Sequence, residues 1–399
     1  MPRHTLYPTA SSNKPGRRGM TAACTTAARL LCILLLCTAT GSVADDFDPR
    51  PIIKDLALRE SDTPMREHPG WAPEKVAVLI MPFDAGLSER YRARLQQVAG
   101  DVELVFTGFG GAQLDPATLA EVDAVIGICT PALLQGASEK LRWVHNYSVG
   151  MDLCTGATQQ QLDSIVFSNN QRLSGPAIAE HTIAMLLSLS RNLPAYHKAQ
   201  QEKRWAQQLM REVTFGELTG KTMLVVGLGG IGTEIARRAH GLGMRVVATR
   251  NSSRSGPDFV EYVGLADEMD TLAKTADVVV NALPLTPATT GLFDQDFFDT
   301  VKHGAIFLSV GRGQSTVSSD LVAALESGQI YAAGLDVTDP EPLPADSPLW
   351  SMDNVIITPH VSSAGRDSFR RSLVIAAENL RRYVAGEPIL NTVDLRRGY

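Results

Sequence analysis

The segment Thr222–Ala236, TMLVVGLGGIGTEIA, decides the fold of this chain. An apolar run of strand length leads into the pattern Gly227-x-Gly229-x-x-Gly232 and then directly into an amphipathic helical pattern. The first glycine permits a tight turn, the second lets backbone amides approach a pyrophosphate, and the third lets the helix pack closely on the strand. The helix amino terminus adds N–H groups and positive potential. The segment therefore predicts a dinucleotide-binding βαβ unit rather than an ordinary glycine-rich turn.

The residues after the next strand indicate which dinucleotide is bound. A fold that selects NAD usually carries an acid about 20 residues beyond the glycines, where it bonds the ribose 2′-hydroxyl. Here Arg250 stands 18 residues after Gly232, and Asn251, two serines and Arg254 follow. Guanidinium groups and hydroxyl donors suit a 2′-phosphate. NADP(H) is therefore favoured, NAD(H) stays possible, and a solvated basic loop is the alternative interpretation.

Short apolar runs alternate with helical or polar segments on both sides of this unit. In the first half they lie at 76–81, 102–106, 124–128, 141–144 and 165–167. In the second half one run begins at residue 223, and others lie at 245–249, 277–282, 305–310, 332–335 and 355–357. A helical period covers Pro176–Leu193. Buried strands that alternate with helices imply parallel, doubly wound sheets. The predicted fold class is α/β, with two Rossmann-like domains and a cleft between them.

Composition and charge exclude several classes of partner. The 399 residues are 44% hydrophobic and 20% charged, as in a globular protein of about two domains. The net charge is −6, and the first 44 residues hold basic residues but no acid, so the remainder is more negative still. This argues against a nucleic-acid or anionic-membrane partner. No metal-ligand spacing occurs, and Cys129 and Cys154 are predicted to be buried, unpaired structural thiols.

Residues 1–44 resemble a targeting leader. A basic segment precedes the apolar run Leu30–Cys37, and small residues end at Ala44. This layout is typical of a secretory signal peptide, and the apolar run is shorter than the roughly 20 residues that span a bilayer. We expect export without stable membrane insertion. Because NADPH is hard to supply outside the cytosol, an organellar transit peptide and a cytoplasmic protein starting near Met65 remain alternatives.

Three chemically distinct side chains follow strands of the second half. They are Arg312 in SVGRG, Glu341 in LDVTDPEPLP and His360 in VIITPH. Ligands of doubly wound sheets bind beyond the carboxyl ends of the strands, so all three are expected at one crevice. Reduction of a 2-keto acid by hydride needs a proton donor, a cation for the carboxylate and a group that keeps the donor protonated. Histidine, arginine and glutamate meet those needs.

The order GLGGIG, NALPLTPATTGL, SVGRG, GLDVTDPEP and ITPH resembles the D-isomer-specific 2-hydroxyacid dehydrogenase family, in its NADP-preferring glyoxylate/hydroxypyruvate reductase-like branch. The resemblance runs from about Lys75 to the carboxyl terminus. It implies that His360 is the acid/base, that Glu341 pairs with it and that Arg312 orients the substrate. It also implies a substrate loop in which the backbone amides of Val149 and Gly150 hold the carboxylate, and a hinge region containing Asn170, Glu180 and His181. The expected cofactor contacts are Gly227, Gly229, Gly230, Ile231, Gly232, Arg250, Asn251, Arg254, Leu283, Pro284, Val310, Gly311 and Asp336.

The same resemblance sets the expected organisation of the chain. Residues 75–173 form a flavodoxin-like substrate domain that 363–399 completes, and 174–362 form the dinucleotide-binding domain. Proline-rich residues 45–74 are a linker or a surface-hugging arm, and a homodimer is expected. A nucleotide-sensing binding protein without turnover is the alternative function, and phosphite oxidation also stays open. Glyoxylate, hydroxypyruvate and bulkier 2-keto acids are all admissible substrates, and the direction of the reaction is open.

Overall fold

A computed structural model describes residues 47–81, 85–108, 114–251 and 253–397. The predicted leader, residues 1–44, lies outside the described residues. Within the described ranges, no helix combines the length and the apolar character needed to cross a membrane.

The first sheet has five parallel strands in the order β2-β1-β3-β4-β5. They are β1 (Lys75–Ile80), β2 (Glu103–Gly108), β3 (Ala124–Gly127), β4 (Trp143–Asn146) and β5 (Val166–Asn169). The helices of this half are α1 (Arg50–Asp55), α2 (Ala85–Ala99), α3 (Pro116–Glu121), α4 (Pro131–Gly136) and α5 (Gln159–Ser164). The central strands are buried along their whole length, which explains their continuous apolar sequences.

The second sheet has seven parallel strands in the order β12-β11-β10-β9-β6-β7-β8. They are β6 (Thr222–Val226), β7 (Arg245–Arg250), β8 (Tyr262–Leu265), β9 (Val278–Asn281), β10 (Ala305–Ser309), β11 (Ile330–Leu335) and β12 (Val355–Ile357). Two parallel α/β sheets confirm the predicted fold class. The sequence did not predict β8, because its four residues include a glycine and an exposed tyrosine and so form no apolar run.

Helices complete both halves. They are α6 (Gly175–Ser190), α7 (Leu193–Gln201), α8 (Gly230–Gly241), α9 (Met269–Ala273), α10 (Gln295–Thr300), α11 (Ser318–Glu326) and α12 (Arg366–Ala385). Helix α6 packs on α8, while α12 returns to the first sheet and packs on α2. Helix α6 ends earlier than the predicted Leu193 because Asn192 adopts a left-handed backbone conformation, φ 53°.

Residues 47–74 form an arm on the first sheet. Phe47, Ile52, Leu58 and Met65 of this arm are buried in the same apolar cluster as β1 and α12. The ion pair Arg382–Glu60, 2.9 Å, also holds it. The arm is therefore part of the packed structure around the first sheet.

The prediction of two unpaired thiols is wrong, because Cys129 and Cys154 form a disulfide with their Cα atoms 4.9 Å apart. Both cysteines lie beyond the carboxyl ends of β3 and β4, which are neighbours in the sheet. A sequence separation of 25 residues gave no sign of this proximity.

Candidate active site

A cleft lies where residues of both halves meet. Its lining includes Val149 and Gly150 from the first half and Ile231, Val310, Arg312 and His360 from the second. The structure thus brings the expected substrate loop, the glycine-rich turn and two of the three expected catalytic side chains to one cavity.

His360 and Glu341 form a hydrogen-bonded pair at this cleft. His360 Nδ1 lies 3.0 Å from Glu341 Oε2, and the other carboxylate oxygen accepts a 3.0 Å hydrogen bond from the Thr338 amide. With Nδ1–H directed at the carboxylate, Nε2 is the ring nitrogen that can exchange a proton with a substrate. The pair therefore has the geometry of an oriented acid/base.

Asp336 holds the backbone around His360. Its carboxylate accepts hydrogen bonds from Thr358 Oγ1 at 2.6 Å, Val361 N at 2.9 Å and Ser362 N at 3.0 Å. Burial opposes ionisation of this carboxyl, but the hydrogen bonds prevail and keep its pKa below the ordinary value. His360 has φ 53°, a left-handed conformation that is unfavourable for a residue with a side chain. The Asp336 contacts compensate for that strain.

Two of the predicted hinge residues, His181 and Glu180, contact this network and helix α8. His181 Nε2 lies 2.9 Å from Thr358 Oγ1, which in turn donates to Asp336, so α6 is connected to the loop that carries His360. Glu180 accepts a 3.0 Å hydrogen bond from Arg238 on α8.

Arg312 spans the cleft to the substrate loop. Its Nε and Nη2 donate to Asp152 Oδ1 at 3.0 and 2.9 Å, and its Nη1 donates to the Gly311 carbonyl. A Cβ at Gly150 would collide with Arg312 Nη2, so a side chain there would displace the guanidinium from this position. The carboxylate of Asp152 thus orients the cation on which a substrate carboxylate would depend.

Asparagine side chains fix the substrate loop by binding its carbonyls. Asn146 Nδ2 donates to Gly150 O at 3.0 Å, while Asn169 and Asn170 donate to Val149 O and Tyr147 O, each at 2.6 Å. All three asparagines end or follow strands of the first sheet. Asn146, Asn169 and Asp152 were not predicted as site residues from the sequence. Their positions after apolar strands are the signal that could have found them.

The glycine-rich turn fits a dinucleotide. Gly227 has φ 98°, and a side chain at Gly232 would collide with the Gly227 carbonyl. At Gly229, by contrast, a Cβ would meet no atom within 4 Å, so space remains beside the amino terminus of α8. Gly230 starts that helix. An open, positively polarised turn of this kind suits a pyrophosphate.

The other expected cofactor residues lie around the same edge. Leu283 and Pro284 follow β9, and Gly311 packs so closely on the Leu283 carbonyl that a Cβ would come within 2.6 Å of that oxygen. Asp336 differs from them, because its side chain is 1% exposed and its carboxylate accepts hydrogen bonds from the His360 loop.

The basic residues expected at the 2′-phosphate have different environments. Arg250 ends β7, and its buried Nε has no hydrogen-bond partner in the described part of the chain. Arg254 instead forms an ion pair with Glu268 at 2.6 Å and donates to the Tyr262 hydroxyl at 2.8 Å. Asn251 directly follows Arg250.

Comparison with known sequences agrees with this site. A family model described as D-isomer specific 2-hydroxyacid dehydrogenase, NAD binding domain, matches residues 183–362. A glyoxylate/hydroxypyruvate reductase B from Citrobacter koseri is 34% identical over 256 residues, which are 64% of this chain and 78% of the relative. A human glyoxylate reductase/hydroxypyruvate reductase is 32% identical over 264 residues, 66% of this chain and 80% of the relative.

Solved structures are also similar. One is a D-isomer specific 2-hydroxyacid dehydrogenase from Xanthobacter autotrophicus Py2 in complex with NADPH and MES (TM-score 0.68, 28% identity, 82% of this chain and 100% of that one). Another is an NADPH-dependent glyoxylate/hydroxypyruvate reductase from Sinorhizobium meliloti in complex with NADP and sulfate (TM-score 0.67, 25% identity, 82% and 100%). The chain therefore belongs to the D-isomer specific 2-hydroxyacid dehydrogenase family and is an oxidoreductase with a nicotinamide dinucleotide-binding domain.

Proposed function

We propose that this protein uses NADPH to reduce a small 2-keto acid of the glyoxylate or hydroxypyruvate type to the D-2-hydroxy acid. The observation that carries the proposal is the His360–Glu341 pair, 3.0 Å, at the cleft that Arg312 also lines. The fit of the glycine-rich turn to a dinucleotide supports it. The similar proteins named above as NADPH-dependent or as glyoxylate/hydroxypyruvate reductases point the same way.

Each residue of the site has a part in the proposed reaction. Arg312 and the amides of Val149 and Gly150 bind the substrate carboxylate, which fixes the keto carbon in the cleft. Bound NADPH supplies the hydride to that carbon. His360 Nε2 gives its proton to the carbonyl oxygen as negative charge develops there, and the Glu341 carboxylate stabilises the protonated ring. The substrate thus gains one hydride and one proton.

We also propose the domain boundaries 75–173 with 363–399 and 174–362. The division of strands between two sheets and the return of α12 to the first sheet support them. A homodimer through the second half is part of this proposal. Trp205 is 94% exposed and Met210 62% exposed in the segment after α7, and a second copy of the chain would cover these apolar groups.

Export is the proposed destination of the protein. The Cys129–Cys154 disulfide supports it, because such bonds persist in oxidising compartments and are rare in the cytosol. The leader-like sequence of residues 1–44 provides the second argument.

The test is an initial-rate assay that follows NADPH and NADH consumption with glyoxylate, hydroxypyruvate and a bulkier aromatic 2-keto acid. We expect turnover with NADPH that His360→Ala abolishes and His303→Ala, at a surface histidine, leaves intact. Binding of NADPH without reduction of any keto acid would refute the proposed reaction in favour of a nucleotide-sensing role.

A further inference from the structure

Two arginines from distant parts of the sequence lie beside the glycine-rich turn. Arg250 ends β7, and the preceding Thr249 carbonyl accepts a 2.9 Å hydrogen bond from Leu228 N within the turn. Arg172 lies just before α6 and contacts the start of α8, because a Cβ on Gly230 would come 2.7 Å from Arg172 Cγ. Both side chains therefore flank the place where the dinucleotide phosphates are expected.

The arm brings a third arginine, Arg59, close to Arg172. The Leu56 carbonyl accepts a hydrogen bond from Arg172 Nη1, at 3.4 Å, three residues before Arg59. The Arg59 carbonyl accepts from Asn391 N at 2.8 Å, and the Asn391 side chain donates to the carbonyl of Gln171 at 2.9 Å. The backbone of Arg59 is thus fixed close to Arg172.

These three positive charges repel one another. Burial and the nearby Arg59 charge lower the pKa of both Arg172 and Arg250. No carboxylate forms an ion pair with any of the three in the ranges that the structure describes. The nearby Glu234 charge opposes part of the lowering of the Arg172 pKa, but the Glu234 carboxylate forms an ion pair with Arg238, at 2.6 Å. Mutually repelling guanidinium groups around an unpartnered Arg250 Nε favour binding of an anion.

We propose that Arg59, from the arm that precedes the first sheet, is a ligand of the cofactor's 2′-phosphate together with Arg250, with Arg172 beside them. The proposal rests on the proposed use of NADPH. The end of β7 is where this fold meets the adenosine ribose, so a phosphate on that ribose lies next to Arg250. Arg254, the other expected cation, already neutralises Glu268. Arg59 of the arm therefore supplies a positive charge that is unpaired among the described residues, which Arg254 in the loop after β7 does not.

The test measures dissociation constants of NADPH, NADH, adenosine 2′,5′-bisphosphate and ADP by calorimetry, without turnover. The variants are Arg59→Ala, Arg59→Lys and the matched control Lys54→Ala, which removes an exposed charge from the same arm. Arg59→Ala should weaken NADPH and the bisphosphate about tenfold, the range of one charge-assisted contact, and leave NADH and ADP almost unchanged. Lysine should restore part of the loss, and added salt should narrow the difference between variants.

The outcomes separate this inference from the proposed function. If the wild-type protein binds NADPH no more tightly than NADH, the proposed cofactor preference fails. If the wild type prefers NADPH and Arg59→Ala keeps the full preference, only the role of Arg59 is refuted. Equal weakening of all four ligands, with an unchanged melting temperature, would also refute a 2′-phosphate contact, because ADP and NADH lack that group.

Discussion

Replacing Asp336 with asparagine tests whether this residue positions His360 or binds the cofactor. The asparagine would keep the shape of the side chain, but it would place an amide NH₂ where a carboxylate oxygen now accepts from a backbone N–H. Because the side chain is 1% exposed, solvent cannot readily satisfy that backbone donor. One lost hydrogen bond to a charged acceptor, with a buried donor left unsatisfied, costs about 1.5–3 kcal/mol. The left-handed His360 backbone is the part of the loop most ready to relax.

We therefore expect Asp336→Asn to lower kcat by about tenfold or more, while the Kd of NADPH stays within about twofold of the wild-type value. The assay combines steady-state kinetics with NADPH titration by fluorescence, and Asp270→Asn, at an exposed aspartate, is the control. If Asp336 only positions His360, the substitution lowers kcat and leaves the Kd of NADPH unchanged. If the Kd of NADPH rises in parallel with the loss of kcat, Asp336 is a cofactor ligand and the reasoning from its hydrogen bonds is wrong.

Three further predictions concern the disulfide, a buried histidine and the cation beside Glu268. Cys129→Ser should lower the free energy of unfolding by about 3 kcal/mol, as expected for a 25-residue closed loop, and dithiothreitol should then have no additional effect. Burial lowers the pKa of His145 to about 4, so protonation of the unfolded chain should reduce stability as the pH falls from 6.5 toward 4, by at most about 3 kcal/mol. Urea unfolding at several pH values should show this slope, and His145→Gln should remove it; a slope that persists would assign it to other groups. Arg254→Ala should change the Kd of NADPH less than Arg250→Ala does, and the reverse order would mean that cofactor binding breaks the ion pair with Glu268.

The catalytic motifs could be predicted from the sequence because each of them follows the carboxyl end of a parallel strand. In a parallel sheet, residues just after apolar strands meet at one edge, so Arg312 and His360 could be placed at one cleft without coordinates. The Glu341 partner followed from the resemblance to the family. The position of Arg250 was equally local, since it depends only on the distance from the glycine-rich turn.

Contacts between segments that are distant in the sequence could not be predicted in this way. The Cys129–Cys154 bond depends on β3 and β4 being neighbours, and the approach of Arg59 to Arg172 depends on an arm whose sequence shows no regular period. Asp336 was expected to contact the cofactor, but only the folded loop shows that its hydrogen bonds hold His360.

The sequence by itself determined the α/β class, the dinucleotide-binding turn and the family of this protein, because strand burial and turn conformation depend on short stretches of residues. Tertiary structure alone decided which side chains are already engaged and which charges remain uncompensated. The sequence does not distinguish Arg254 from Arg250. In the structure, however, Arg254 is paired with Glu268, whereas the buried Nε of Arg250 has no hydrogen-bond partner among the described residues. That difference arises from packing between segments far apart in the chain, which no local pattern specifies.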